Sequence, residues 1–279
     1  MDRARLLSSL IRFAVFVVVS IVLWWFLAGA ITPFFDTLVA SALSLGLAML
    51  ITTSVMMRIY EMRPFHDVGL FFNRTGARHF GVGLMLGAGS SLLVVALEWA
   101  GGWARFERVA FVSHGAFALS FWFLILLIGS TGEELLFRGY GFQHLLRVFG
   151  PWFSIPSTSV LFAWGHSANP AFSRVGLINT ALFGVVFGYA FWRTRDLWLP
   201  LGMHFAWNFS LATIGANVSG LKIKLMGISM MATGSPLWSG GDYGPEASLV
   251  TTLVPAATGV FLWKAPLGRQ ERGLLARQE

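Results

Sequence analysis

Long apolar runs separated by short polar clusters dominate the chain. Eight runs stand out, at roughly 10–31, 38–59, 80–100, 117–137, 155–170, 176–192, 198–215 and 247–264, and most approach the ~20 residues that a membrane-spanning helix needs. The fifth is the shortest and most polar. This pattern predicts an all-α fold, a polytopic membrane helix bundle with about eight transmembrane helices. An even number of spans places both termini on one side. After Glu134 the chain reads "LLFRGYGFQHLLRVFGPW", with Arg138, His144 and Arg147 among Leu and Phe. That alternation predicts an amphipathic continuation along the interface, ended by Gly150-Pro151. Arg58 to His79 forms a polar connection, and Gly215 to Ser248 a long external loop. Gly83 with Gly87, and Gly184 with Gly188, are small residues four apart, as in closely packed helices.

Composition agrees. Of 279 residues 56% are hydrophobic and 12% charged, about half the charged share of a soluble domain. Little chain is left for a soluble domain, so residues 1–279 read as one integral-membrane domain. The net charge of +7 reports orientation and not nucleic-acid binding. Only Arg105, Arg108, Arg174, Lys222 and Lys224 fall on the side away from the termini, leaving 15 of the 20 basic residues on the side that holds them. Positive residues stay cytoplasmic, so both termini are expected there, with a basic tail over 265–279. "AGA" at Ala28–Ala30 resembles a signal-peptidase site, but the apolar run before it is longer than a signal peptide's, so the first span is expected to stay as an anchor. The absence of cysteine removes thiol nucleophiles, disulfides and Cys-held metals.

The few polar residues inside spans carry the candidate chemistry. Span four ends with Glu133 and Glu134, with Arg138 one turn beyond Glu134. Span five carries "FAWGH", with Phe162 and His166 on one helical face; span seven carries "HFAWN", with His204 and Asn208 on one face. Bundles build sites from side chains of facing helices in this manner. A buried glutamate with a neighbouring imidazole can take a proton from water. Imidazole and carboxamide N–H groups can stabilise an oxyanion. The set suffices to hydrolyse an amide without Ser or Cys: Glu133 as base, His166 as its partner, and His204 with Asn208 as oxyanion donors. Glu134 and Arg138 would form an i,i+4 ion pair that aims Glu133 inward. Two His and one Glu are also a catalytic zinc set, so Glu133, His166 and His204 are the ligands if zinc is present; no cofactor is required by the residues, and metal-free water activation is the preferred version.

Each element has a blander reading. Glu134 with Arg138 alone would be an ordinary ion pair, His166 a satisfied core histidine, and His204 with Asn208 an interhelical hydrogen-bond pair. The set on three helices, in this order, points to a site. His79, His114 and His144 lie at span edges and are expected to be solvated. Trp164 and Trp207 are expected to line a cavity or pack between helices, and Glu98 to sit at the outer interface. Glu133 lies near one span end and His166 well inside another, about 14 Å along the helix rise. For the two to meet, helix four must continue into the amphipathic stretch.

"EELLFR", "FAWGH" and "HFAWN" match E-E-x-x-x-R, F-x-x-x-H and H-x-x-x-N in order and spacing. In this the chain resembles the CAAX protease and bacteriocin-processing (CPBP, or Abi) family of intramembrane endopeptidases, related to the type II CAAX prenyl endopeptidases. "HDVGL" and "GGDYGPEAS" also look like bacterial members. The resemblance implies an eight-helix protease with a catalytic core over about 117–215, open to the cytoplasmic leaflet. It places the base at Glu133, its partner at His166, and the remaining pair at His204 and Asn208. It implies a membrane-associated peptide or protein substrate, the lipid bilayer as partner, no nucleic acid, and the bacterial inner membrane as location. Such families have been described both as metallo- and as glutamate-type. The rival readings are a proton-coupled transporter, since Glu and His build proton relays, and a non-catalytic bacteriocin-immunity or scaffold protein. Inverted repeats and broken helices, which transporters often carry, are not seen.

Overall fold

A computed structural model describes residues 3–109, 115–223 and 225–275. His114, Lys224 and Arg277 lie outside the described residues. Among the described residues ten α-helices follow one another: α1 (Arg3–Ile31), α2 (Thr37–Tyr60), α3 (Arg74–Ala100), α4 (Gly115–Arg138), α5 (Tyr140–Phe149), α6 (Pro151–Gly165), α7 (Arg174–Thr194), α8 (Trp198–Thr213), the single turn α9 (Pro236–Ser239) and α10 (Leu249–Lys264). Eight of them coincide with the eight apolar runs, and the molecule is an all-α polytopic membrane bundle. Starts are set by local chemistry: Asp36, Asn73, Ser173 and Ser248 cap α2, α3, α7 and α10 by accepting from backbone N–H groups of the first turn.

Among the described residues, five segments are long and apolar enough to cross a membrane: Arg3–Ile31, Thr37–Tyr60, Arg74–Ala100, Gly115–Phe149 and Arg174–Thr194. The helices α6, α8 and α10 have 15 or 16 residues, about 22–24 Å at the helix rise. The shortness of α8 goes with its place: most of its side chains are buried by protein, so it has no lipid thickness to match. Small residues let its neighbours approach. A Cβ on Gly83 would stand 2.5 Å from the Leu199 carbonyl oxygen, and one on Gly87 would strike Met203. On the other side of the bundle a Cβ on Gly184 would lie 2.9 Å from Ser159. Both glycine pairs thus serve the close packing expected of them, α3 against α8 and α6 against α7.

Several edge residues depart from expectation. Helix α5 does not lie on an interface: Tyr140 to Leu146 are all buried. Its polar side chains find partners within the protein. Gln143 donates to the Val68 carbonyl at 2.7 Å, the Tyr140 hydroxyl to Glu61 at 2.9 Å, and Arg147 to the Leu274 carbonyl. His144 is therefore buried, 3.3 Å from Glu61, and not solvated. His79 is buried too, its Nδ1 2.5 Å from Asp196 at the α7–α8 turn. Glu98 is fully buried and not interfacial. Trp164 is the reverse, 72% exposed on the outer side of α6, while Trp207 is buried between helices as expected. Arg12 reaches Glu61 at 2.6 Å and Arg63 reaches the Gly273 carbonyl at 2.7 Å. These bonds gather the start of α1, the 61–73 connection, α5 and the chain after α10 on one face.

The opposite face holds structure that the apolar pattern did not foretell. Strand β1 (Ala104–Arg108) pairs antiparallel with β2 (Ile228–Ala232), Phe106 facing Met230. The ribbon ties the link before α4 to the long loop between α8 and α10. Alternation over only five residues, in a chain otherwise read for helices, gives too weak a signal to separate from loop.

Candidate active site

Helix α4 runs to Arg138, and only Gly139 separates it from α5. Its ψ of −136° breaks the helix, and a Cβ there would strike the Leu135 carbonyl, so glycine suits the kink. The pair α4–α5 forms one apolar segment, Gly115–Phe149, and α6 then returns from Pro151. The descent beyond Glu133 is thereby matched by the ascent of α6, and His166, the residue that caps its C-terminus, arrives level with Glu133. This is the continuation the sequence required. His204 comes from the middle of α8.

The ionisable groups of the three helices meet. Glu133 Oε2 lies 3.8 Å from His166 Nε2 and 3.7 Å from His204 Nε2. Neither contact is a hydrogen bond, and Oε2 has no partner among the described residues. The side chains of Glu133 and His166 keep 25% and 18% of their exposure, while His204 keeps 7%. The other imidazole nitrogens are committed. His166 Nδ1 is 2.9 Å from the Phe162 carbonyl oxygen and His204 Nδ1 is 2.8 Å from Glu134 Oε1. Both acceptors require an N–H at Nδ1, which fixes each ring's orientation and aims both Nε2 atoms at Glu133.

Glu134 and Arg138 do form a pair, 3.2 Å apart and buried, and it reaches further than one helix. The same Oε1 that takes Arg138 takes His204, so the pair bridges α4 and α8. Arg138 also donates to the Gly184 carbonyl at 3.2 Å, fastening α7. Its guanidinium lies 4.5 Å from the Phe162 ring and 5.4 Å from Phe187, a cation–π arrangement that suits a buried Arg. Phe162 packs against His166 at 4.8 Å and edge-on to His204 at 5.9 Å. Phe187 stacks on His204 at 5.2 Å. Asn208 follows His204 by one turn of α8 and is partly buried.

Two residues beside the site were not singled out from the sequence. Phe187 is one more apolar residue in α7, indistinguishable from lipid-facing neighbours without coordinates. Glu246 lies in "GGDYGPEAS", where only its charge among Gly and Pro could have drawn attention. It accepts from Trp207 Nε1 at 3.0 Å and from the Ser219 hydroxyl at 2.9 Å, and also from the Ser219 backbone N–H. Burial pushes its carboxyl above the ordinary range, opposed by the Ser219 and Trp207 donors and by the charge of His166.

Two imidazole Nε2 atoms and a carboxylate are the donor chemistry of a catalytic zinc site. Tetrahedral zinc with bonds of about 2.0–2.1 Å would bring such atoms to about 3.4 Å from one another. The two contacts of Glu133 are wider than that, and no three His, Asp or Glu among the described residues are arranged to hold a metal ion.

Within the helix bundle one carboxylate thus faces two oriented imidazoles. Residues 115–210 match the type II CAAX prenyl endopeptidase Rce1-like family model. That stretch contains every element of the cluster, from α4 to His204 and Asn208, so the likeness to this family covers the site and about a third of the chain. No curated protein and no solved structure matches the chain.

Proposed function

We propose that the protein hydrolyses a peptide bond of a membrane-associated substrate with a water activated by Glu133 and its imidazole partners. The observation that carries this reading is the free Glu133 Oε2 between His166 Nε2 and His204 Nε2, at 3.8 and 3.7 Å. A water held there donates one proton to Glu133 while its oxygen attacks the scissile carbonyl carbon. His166, held through Phe162, accepts a hydrogen bond from the same water and steadies the proton in transit. His204 stands between Glu133 and Glu134. As an imidazolium it donates from Nδ1 to Glu134 and offers Nε2–H to the oxyanion, together with the Asn208 carboxamide. The proton on Glu133 then passes to the leaving amine, and the C–N bond breaks. Glu134 and Arg138 fix His204 and carry no step themselves. No step is routed through a metal.

In this reading residues 1–279 are one integral-membrane domain, with the catalytic core over about 117–215 and the tail over 265–279 in the cytoplasm. The basic residues favour that orientation, and the bacterial inner membrane is the expected location. Proteomics of protein termini in membranes, comparing wild type with Glu133→Gln, tests the proposal. It expects at least one membrane polypeptide to persist uncleaved in the variant. Identical termini in the two membranes would sink it.

A further inference from the structure

The halves of the cluster come from different elements: His166 from the end of α6, and His204 with Asn208 from α8. Between them lies Glu246, carried by the loop that precedes α10. Its carboxylate accepts from Trp207, the residue just before Asn208. It also accepts from both the backbone N–H and the hydroxyl of Ser219. Ser219 sits in the left-handed region at φ 49°, a conformation that costs energy in a non-glycine residue. The next residue, Gly220 at φ +83°, packs so closely on the Pro170 carbonyl that a Cβ would not fit. Pro170 belongs to the turn that leaves His166, where the Asn169 N–H bonds back to the His166 carbonyl at 3.1 Å.

The anchor itself is well fixed. The Asn179 carboxamide donates to the Glu246 carbonyl at 2.8 Å and to the Ser248 carbonyl at 2.9 Å, while Thr252 donates to Asn179 at 2.8 Å. The Gly220 N–H bonds the Tyr243 carbonyl at 2.8 Å. The three groups that meet the Glu246 carboxyl, the Trp207 indole N–H, the Ser219 hydroxyl and the Ser219 backbone N–H, are all donors, and only the hydroxyl can also accept. The donors fix the orientation of the carboxyl group.

We propose that Glu246 is a positioning residue of the hydrolytic site, a carboxylate staple that holds α8 in register with the turn after α6. It thereby sets Asn208 relative to His166. The role rests on the function proposed above. It differs from that of Glu133: Glu246 touches no reacting atom, and its effect passes through Trp207 on one side and Ser219–Gly220–Pro170 on the other.

The test is steady-state cleavage by full-length protein in membranes, normalised to folded enzyme. The variants are Glu246→Gln, Trp207→Phe and Asn208→Ala, alone and with Asn208→Ala combined with Glu246→Gln. Glu246→Gln sets an NH2 against a donor. Trp207→Phe removes one donor and keeps a ring. Misplacement by about 1 Å costs about 100-fold, so Glu246→Gln is expected to lower kcat by at least about tenfold with KM little changed. Trp207→Phe should lower it in the same sense, and Glu246→Gln should add little once Asn208 is gone. A change in kcat below tenfold in folded protein would overturn the proposal, as would a loss confined to KM or one that multiplies fully with Asn208→Ala. Should Glu246→Gln fail to fold, Trp207→Phe decides by the same criteria. If Glu133→Gln is inactive while these variants cleave normally, this inference alone fails; if Glu133→Gln cleaves normally, the hydrolytic reading fails first.

Discussion

Two carboxylate–histidine assemblies differ in how completely their carboxylates are closed. At His79 and Asp196 the partners stand at 2.5 Å, and the second Asp196 oxygen accepts from the Trp198 backbone N–H at 3.2 Å. That pair joins α3 to the turn before α8, and its carboxylate has no oxygen to spare. At Glu133 the nearest imidazole atoms stand at 3.7 and 3.8 Å, and Oε2 has no partner. Buried polar groups are almost always satisfied, and one that is not calls for an explanation. One residue away, Glu134 holds both His204 and Arg138 through a single oxygen, while its other oxygen has no hydrogen-bond partner among the described residues. What sets Glu133 apart is that its imidazole neighbours stand beyond hydrogen-bonding distance. A closed pair holds helices together; an open one leaves room for a third molecule.

Variants can invert this contrast. Apart from loss of the base itself, the largest change in turnover is expected for His166→Ala. Losing an acid–base partner costs about 100- to 10,000-fold, while the partly exposed side chain gives up only its bond to Phe162. Single-turnover cleavage with folded protein quantified in parallel checks this. Asp196→Ala should do the opposite. Leaving one member of a buried pair alone costs about 3–5 kcal/mol, read as a lowered midpoint of thermal unfolding, with turnover per folded molecule unchanged.

The face that holds α5 adds a pH-dependent term. Burial raises the Glu61 carboxyl, but bonds from His144 and Tyr140 and the charges of His144 and Arg12 outweigh it, and the group is lowered from 4.5 to about 2. A depressed acid stabilises the fold above its unfolded value and loses that contribution as pH falls through the folded one. The difference in unfolding midpoint between wild type and Glu61→Gln should thus be constant above about pH 4.5 and shrink toward pH 2. The smallest expected effect is that of chelation. Turnover should not change, and stoichiometric zinc whose removal abolishes cleavage would replace the water mechanism by a zinc-bound one.

The bundle and the members of the cluster were legible because lipid makes polar residues rare. In a span, Glu133, His166 and His204 stand out against Leu and Phe, and the i,i+4 spacings assign faces. The required depth of Glu133 was legible as well, since helix rise demanded that α4 continue. The partners of edge residues were not. A histidine at a span end can meet water or another segment, and nothing local to His79 or His144 announces Asp196 or Glu61 from far along the chain. Glu246 was hidden for the same reason. Its donors lie 27 and 39 residues away, and a Gly-rich loop carries no periodicity to place it.

The central claim is that Glu133 takes the proton of the attacking water. The most direct measurement is the turnover of Glu133→Gln on a substrate identified by its uncleaved precursor, per molecule of folded protein. The account predicts a loss of about 100- to 10,000-fold with the unfolding midpoint unchanged. Turnover equal to wild type would contradict it.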